Sequence, residues 1–399
     1  MPLPATMKQQ TKSFRPEILR PARRVVVKVG SGVLTARDGL NMTVVKDLVS
    51  DICALRANGK EIILVSSGAI ASGLKKIGIS KRPKSVSQLQ AVAAVGQSSL
   101  ISSYEDAFRP YGQKVAQVLI TRDDLIHRRR YLNARNTIMT LLSWKILPII
   151  NENDTVAVDE IKFGDNDNLS AMVTNLTDAH LLVNLTNMDG LFDKDPREHP
   201  EAKLIPLVEK VDRKVAKFAS TIPGFLGTGG MASKVKAAQK VALAGVPTVI
   251  ANGLKPHILE RIFSGEEEGT LFLPREVSLC SKKHWIAFTK SPRGEIFIDH
   301  GAVKAILDNG KSLLPSGIID VKGRFSPGDA VLLIDPDGRE VAVGMVNYHS
   351  GDVAKIIGVK TSEIEARLGF KQDDEVIHRD NLVITADTEN GDDICRLRS

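Results

Sequence analysis

Two lysines in this sequence occupy places where a lysine is expensive to keep. Lys28 closes an apolar run, Arg24-Val-Val-Val-Lys-Val-Gly, and a buried ammonium must find an anion or lose its charge. Gly30, Ser31 and Gly32 follow at once, and two glycines beside a serine let backbone N–H groups approach a phosphate closely. Lys234 ends a second glycine-rich run, Gly227-Thr-Gly-Gly-Met-Ala-Ser-Lys. There Thr228, Gly229, Gly230, Met231, Ala232 and Ser233 lead into a predicted helix, so Lys234 falls about one turn inside it and reaches back toward the same anion. Neither run has the GxxxxGK[ST] spacing, and no GxGxxG follows a strand, so the best-known nucleotide loops are absent.

A second group of residues suits a small polar acceptor. Ser66-Ser67-Gly68-Ala-Ile-Ala-Ser-Gly stands at a strand-to-helix junction, where hydroxyls and free N–H groups fit a carboxylate or phosphate. Helix capping accounts for one of these serines, not for the cluster. Asn151-Glu-Asn-Asp154 and Phe163-Gly-Asp165-Asn166-Asp167-Asn168 are rich in amides and acids. Amides offer donor and acceptor together and can grip both ends of a zwitterion. The carboxylates suit a substrate ammonium or help to organise Mg²⁺, whose oxygen ligands usually include nucleotide phosphates. No dedicated protein cage for the metal is evident.

Taken together, two lysines flank a polyanion, a glycine loop lies on each side, and an amide-acid patch waits for the acceptor. Phosphoryl transfer asks mainly for alignment and charge neutralisation. A carboxylate acceptor is already ionised at neutral pH and needs no general base, which fits the lack of histidine in these motifs. His127, followed by Arg128-Arg-Arg130, reads as solvated surface or a subunit contact.

The elements that must hold these residues alternate. Apolar runs at 24–29, 61–65, 114–120, 146–150, 180–184 and 247–251 predict strands, and helical periodicity covers 43–58, 86–108, 131–144 and 231–244. Such alternation gives an α/β fold, an αβα sandwich with a mostly parallel sheet, whose ligands gather beyond the carboxyl ends of the strands. After about residue 275 the segments become short, β-branched and separated by turns such as Ser326-Pro-Gly-Asp and Asp335-Pro-Asp-Gly, which predicts a smaller β-rich domain. The expected division is a loose extension over 1–23, a catalytic domain over 24–275, the β-rich domain over 282–370 and a C-terminal extension over 371–399.

A chain of 399 residues with 43% apolar and 25% charged residues is long enough for two cores and too apolar for disorder. Its apolar runs are too short to span a bilayer, and the first 24 residues lack signal-peptide character. The three cysteines show no paired spacing. A cytoplasmic protein is therefore expected. The formal charge of +7 is confined to the first domain, because from residue 281 onward Lys and Arg number 16 against 19 Asp and Glu. An anionic substrate explains that excess at least as well as nucleic acid does.

The stretches Val27-Lys-Val-Gly-Ser, Ser66-Ser-Gly-Ala-Ile-Ala-Ser-Gly, Leu132-Asn-Ala-Arg, Ile150-Asn-Glu-Asn-Asp, Gly164-Asp-Asn-Asp-Asn-Leu-Ser-Ala and Gly227-Thr-Gly-Gly-Met together resemble the bacterial glutamate 5-kinases of the amino-acid-kinase family, in their long form. The resemblance implies ATP and L-glutamate as substrates, Mg²⁺ as cofactor, proline as feedback inhibitor and a place at the start of proline synthesis. It implies that Lys28 and Lys234 stabilise the transferred phosphoryl group and that Ser67, Asp154 and Asn166 bind glutamate, with Gly68 and Asn151 alongside. Asp165 and Asp167 would lie beside them, one organising the lysines or Mg²⁺. Gly30, Ser31, Gly32, Thr186, Asn187 and the 228–234 loop would meet ATP. Many relatives carry aspartate where this chain has Asn187, which removes a charged contact there.

The second domain, about 282–360, resembles a PUA pseudobarrel on Phe325-Ser-Pro-Gly-Asp and Val343-Gly-Met-Val. Fold likeness does not confer RNA binding, and its acidic balance favours an oligomerisation or stability role. A homodimer or homotetramer through the first domain is expected, with the Ile120–Leu132 surface or the helix after it as a candidate contact. The expected partners extend to a transient contact with glutamyl phosphate reductase. The rivals are a relative acting on aspartate, N-acetylglutamate or carbamate, and a regulatory or RNA-binding protein with a kinase-like fold.

Overall fold

The structure, a computed structural model, describes residues 11–36, 39–126, 128–157, 166–220, 230–274 and 292–385. The chain forms two compact units, Met1–Glu276 and Val277–Ser399. In the first, the strands are β1 (Arg24–Val29), β2 (Thr35–Ala36), β3 (Gly39–Leu40), β4 (Glu61–Ser66), β5 (Val115–Ile120), β6 (Leu147–Glu152), β7 (Leu181–Thr186), β8 (Leu207–Val208), β9 (Thr248–Asn252) and β10 (Thr270–Phe272). The helices are α1 (Thr11–Leu19), α2 (Ser31–Leu34), α3 (Met42–Ala57), α4 (Ala69–Ile77), α5 (Val86–Phe108), α6 (Arg122–Ile126), α7 (Arg128–Ser143), α8 (Asn166–Leu176), α9 (Arg213–Ser220), α10 (Met231–Leu243) and α11 (Ile258–Ser264).

Eight strands make one sheet in the order β5-β6-β4-β1-β7-β9-β10-β8, parallel except where β10 meets β9. β2 and β3 form a separate hairpin. Helices cover both faces, and this explains why the central strands read as unbroken apolar runs. Alternation along β1 sends Val25, Val27 and Val29 into the large core shared with α1, α3, α5 and α11, and sends Lys28 to the opposite face. In register with Lys28 on β7 is Asn184, so the two polar side chains project side by side.

The approach of α4 to α5 is set by glycine. A Cβ on Gly96 would fall 1.7 Å from the Ala69 carbonyl oxygen, and one on Gly73 would fall 2.0 Å from that of Val92. The two helices therefore touch backbone to backbone, which fixes the line along which α4 leaves β4.

The second unit holds β11 (Gly294–Ile298), α12 (His300–Leu307), β12 (Ile318–Gly323), β13 (Ala330–Ile334), β14 (Glu340–Met345), α13 (Ser350–Lys355), α14 (Ile364–Leu368) and β15 (Leu382–Ile384). Its sheet runs β12-β11-β13-β14-β15, antiparallel apart from β11 with β13. Ile296, Val331, Leu333, Tyr348, Val353 and Ile364 lie at its centre.

Both termini depart from expectation. Part of the stretch read as a loose extension is helical and docked: Arg15 of α1 is buried and donates to the carbonyl oxygens of Glu268, Pro206 and Gly269 at 2.6, 2.7 and 2.8 Å. A guanidinium with several planar donors can bind three carbonyls at once, a bond pattern that charge counting along the sequence cannot anticipate. Likewise, the supposed C-terminal extension supplies β15, paired with β14, because Val376, Ile377, Leu382 and Val383 are buried. Among the described residues no helix is long and apolar enough to cross a membrane.

Candidate active site

Asp167 lies in the first turn of α8, a position that the helix dipole favours for an acid, and it is fully buried. Its Oδ1 accepts from Lys28 Nζ at 2.5 Å and from Asn184 Nδ2 at 3.0 Å. Its Oδ2 accepts from Ser233 Oγ at 2.5 Å and from Lys234 Nζ at 3.1 Å. Lys28 and Lys234 are themselves only 4% and 6% exposed, and the one Asp167 carboxylate accepts from both ammonium groups. Burial alone would raise the Asp167 carboxyl, but the ammoniums of Lys28 and Lys234, with the hydrogen bonds from Lys28 and Ser233, hold it well below the usual carboxylate range. Lys234 is drawn down by burial and by repulsion from Lys28, against the pull of Asp167. The arrangement suits an arriving polyanion.

Lys234 reaches Asp167 because α10 begins at Met231, just after the extended N-cap residue Gly230, and puts position 234 on the first turn. The Gly230 carbonyl oxygen, 2.8 Å from the Ser233 oxygen, is a second acceptor within reach of the single hydroxyl proton that Asp167 takes. On the other side Gly30 donates to the Leu185 carbonyl at 3.1 Å. A Cβ there would sit 3.5 Å from Lys28 Nζ, so any longer side chain would crowd the ammonium. Asn187 lies against Gly32, where a Cβ would be 3.4 Å from its side-chain carbon. Thr186 is buried and donates to Asn187 Oδ1 at 3.4 Å.

One residue before Asp167, Asn166 faces a different set of partners. Its Nδ2 donates to Ser67 Oγ at 2.9 Å and to Asn151 Oδ1 at 3.0 Å, and Asn151 Oδ1 also accepts from the Glu152 N–H at 2.9 Å. The ends of β4, β6 and the start of α8 thereby meet in one amide and hydroxyl network. Gly68 follows Ser67 with φ of +106° and opens α4, a conformation that a side chain would strain. Asp154 is 3% exposed, and its Oδ1 has no partner among the described residues. Burial pushes its carboxyl up to about 7, opposed by the charge of Arg82. A buried carboxylate oxygen left open in this way is suited to a cationic group of a ligand.

Comparison with known proteins gives this geometry a family. The profile of the Amino acid kinase family matches residues 23–252, more than half of the chain. The chain belongs to the amino acid kinase family. A PUA domain profile matches residues 294–368. A protein named glutamate 5-kinase from Geobacter sulfurreducens is 52% identical, over 93% of this chain and 100% of its own length. Proteins of the same name from Syntrophotalea carbinolica and Geobacter metallireducens are 48% and 52% identical, each over 93% of this chain and 100% of its own.

Within this amino acid kinase the residues singled out from sequence fall into two clusters. Lys28, Asp167, Ser233 and Lys234 form one; Ser67, Asn151 and Asn166 form the other, joined through the backbone between Asn166 and Asp167. Of Asp165 and Asp167, expected beside the glutamate-binding residues with one organising the lysines or Mg²⁺, Asp167 stands between the two lysines. Asp165, Thr228 and Gly229 lie outside the described residues, as does His127. Asn184 was missed, although it breaks an apolar strand just as Lys28 does and the same argument applied to it. Gln97 was missed too: it is buried on α5, donates to the Glu152 carbonyl at 3.4 Å and accepts from Gln117 Nε2 at 2.8 Å. An amide on a long helix carries no local signal of that kind.

Proposed function

We propose that this amino acid kinase transfers the γ-phosphoryl group of ATP to the γ-carboxylate of L-glutamate, giving L-glutamyl 5-phosphate and ADP in the first step of proline biosynthesis. The observation that carries the reading is the junction at Asn166 and Asp167. There the buried cluster of Lys28, Asp167 and Lys234 adjoins an amide and hydroxyl pocket with an open carboxylate oxygen.

A γ-carboxylate oxygen attacks the γ-phosphorus, the bond from that phosphorus to the β,γ-bridging oxygen breaks, and ADP leaves with the electron pair. No proton has to move, since the acceptor is ionised at neutral pH. Lys28 and Lys234 offset the charge on the transferred group, and Asp167 holds them apart and aligned. Gly30, Ser31 and Gly32 bring N–H groups to the phosphates, while Thr186, Asn187 and residues 228–234 flank the nucleotide. Ser67, Gly68, Asn151 and Asn166 hold the carboxylates of glutamate, and Asp154 pairs with its ammonium.

Both Asp167 oxygens already accept two donors each, so this chemistry fits Mg²⁺ carried on ATP better than a metal held by the cluster. When bound, Mg²⁺ supplies neutralisation of the β- and γ-phosphate oxygens. The group Asp51, His257 and Glu260, whose ligand-type atoms lie within 4.8 Å of one another, is on α3 and at α11, elements that provide none of the residues named above.

Proline would inhibit at or beside the glutamate pocket, since it repeats the backbone carboxylate and amine but lacks the side-chain carboxylate. Assembly into a dimer or tetramer through the first unit, an oligomerisation or stability role for the second, and prompt transfer of the water-sensitive acyl phosphate to glutamyl phosphate reductase complete the reading, in a cytoplasmic setting. The test is ATP turnover with Mg²⁺ and hydroxylamine, offering L-glutamate, L-aspartate and N-acetyl-L-glutamate in parallel, with proline in duplicates. Hydroxamate from glutamate alone, suppressed by proline, is expected; trapped product from another acceptor would overturn the assignment of the pocket.

A further inference from the structure

Behind the acceptor pocket a chain of hydroxyls runs inward from Ser67. The Ser66 hydroxyl, at the end of β4, donates to the Ser67 carbonyl at 3.0 Å. It also lies 2.9 Å from the phenol oxygen of Tyr104 on α5. A serine hydroxyl has one proton to give. With that proton on the carbonyl, the Tyr104 phenol is the donor to Ser66 Oγ. The order Tyr104 O–H to Ser66 O–H to Ser67 C=O is the one that gives each of the two hydroxyl protons its own acceptor. Both hydroxyls are dry, because Ser66 and Tyr104 are 0% exposed.

Ser67 is held from several sides. Its N–H donates to the Val29 carbonyl at 3.2 Å, its carbonyl takes the Ser66 proton, and its hydroxyl accepts from Asn166. The next residue is Gly68 at φ of +106°, from which α4 starts. The peptide between Ser67 and Gly68 therefore sets both the direction of the Ser67 hydroxyl and the aim of the first N–H groups of α4. Burial pushes the Tyr104 phenol up to about 12, which keeps it a donor throughout the physiological range.

We propose that Tyr104 is a positioning residue for the acceptor pocket: acting through Ser66, its hydroxyl sets the Ser67–Gly68 turn and so the grip of the pocket on the substrate carboxylate. This rests on the glutamate reading above. The ring and the hydroxyl have separable tasks. The ring packs in the large core, 6.4 Å from that of Phe108, and Tyr104→Phe keeps it while removing the donor.

The experiment measures steady-state kinetics and melting temperature of the full chain as wild type, Tyr104→Phe, Ser66→Ala and the double variant. Loss of the chain should raise KM for glutamate about tenfold, the size of one buried hydrogen bond, and leave KM for ATP within about twofold. The two single changes cut the same chain, so the double variant should add nothing further. A KM for glutamate that stays at the wild-type value, a parallel rise in KM for ATP, or additive effects would overturn the proposal. Should Tyr104→Phe fail to fold, Ser66→Ala alone carries the same comparison with the ring intact. If wild type forms hydroxamate from another acceptor, the glutamate reading falls, and the variants are judged by that acceptor's KM instead.

Discussion

In the first unit the interior holds Lys28, Asp167, Lys234, Asp154, Asn184 and further polar side chains, whereas the polar and charged residues that are buried end at Thr270, and the described buried side chains of the second unit are apolar or aromatic. Each buried polar group costs stability unless it is paired. The first unit accepts that cost and concentrates it at the carboxyl ends of β1, β4, β6 and β7, where a parallel sheet exposes its ligands. The second unit shows the alternative, a small sheet closed over a centre of apolar and aromatic side chains. The contrast locates the chemistry without any reference to sequence motifs.

The comparison breaks first at the lysines. Replacing Lys28 or Lys234 with Met should lower kcat on the order of a thousandfold and leave the melting of the second unit unmoved; rapid-quench or coupled ATPase assays would read this, and a loss under tenfold would remove both from the reaction. Asp167→Asn should be nearly as damaging and in addition destabilising, by about 3–5 kcal/mol, since two buried ammoniums would lose the carboxylate that they share. Chemical denaturation of the first unit measures that directly. Unchanged stability would mean that the lysines find another counter-charge.

A smaller effect concerns pH. The folded Asp154 carboxyl is raised to about 7, so as pH falls through that value it takes up a proton and loses the charge meant for the substrate ammonium. KM for glutamate should therefore climb below about pH 7, by up to tenfold per unit. Asp154→Asn should show a raised KM that no longer follows pH. The sign for stability is opposite to that of a paired carboxylate: the unfolded chain releases this proton near pH 4 and the folded one only near 7, so the ligand-free protein loses stability across about pH 4 to 7 as pH rises. A profile of KM for glutamate that is flat from about pH 6 to 8 would exclude an ionising Asp154 from the pocket.

The least effect on activity belongs to the second unit. There the Tyr348 hydroxyl donates to the Asp373 carbonyl and accepts from the N–H groups of Asp373 and Gln372, at 2.9 and 3.2 Å. Tyr348→Phe should cost that unit about 1 kcal/mol of stability with kinase kinetics unchanged. A fall in kcat would instead show that the apolar unit reports to the active site.

The kinship between Lys28 and Asn184 shows how far sequence reading extends. Each interrupts an apolar strand, and a reader who asks why can find Lys28 and should find Asn184. By contrast, the role of Asp167 between the two lysines has no local signal, because it stands in a run of acids and amides. Tyr104 and Gln97 are ordinary residues of a long helix until β4 and β6 are placed beside it. Arg15 reads as part of a basic tail until the carbonyls of Glu268 and Gly269 come within reach.

What the sequence determined by itself was whatever follows from neighbours along the chain: strand and helix alternation, glycine turns at strand ends, the open acceptor chemistry of the amide runs, and the break in character near residue 275. Tertiary structure alone decided which of these groups share a proton or a charge. Lys28 and Asp167 are 139 residues apart, and Asp167 and Lys234 are 67 apart. Periodicity reports only the face on which a side chain lies, whereas a charge pair depends on distances of a few ångströms that the order of strands in the sheet creates.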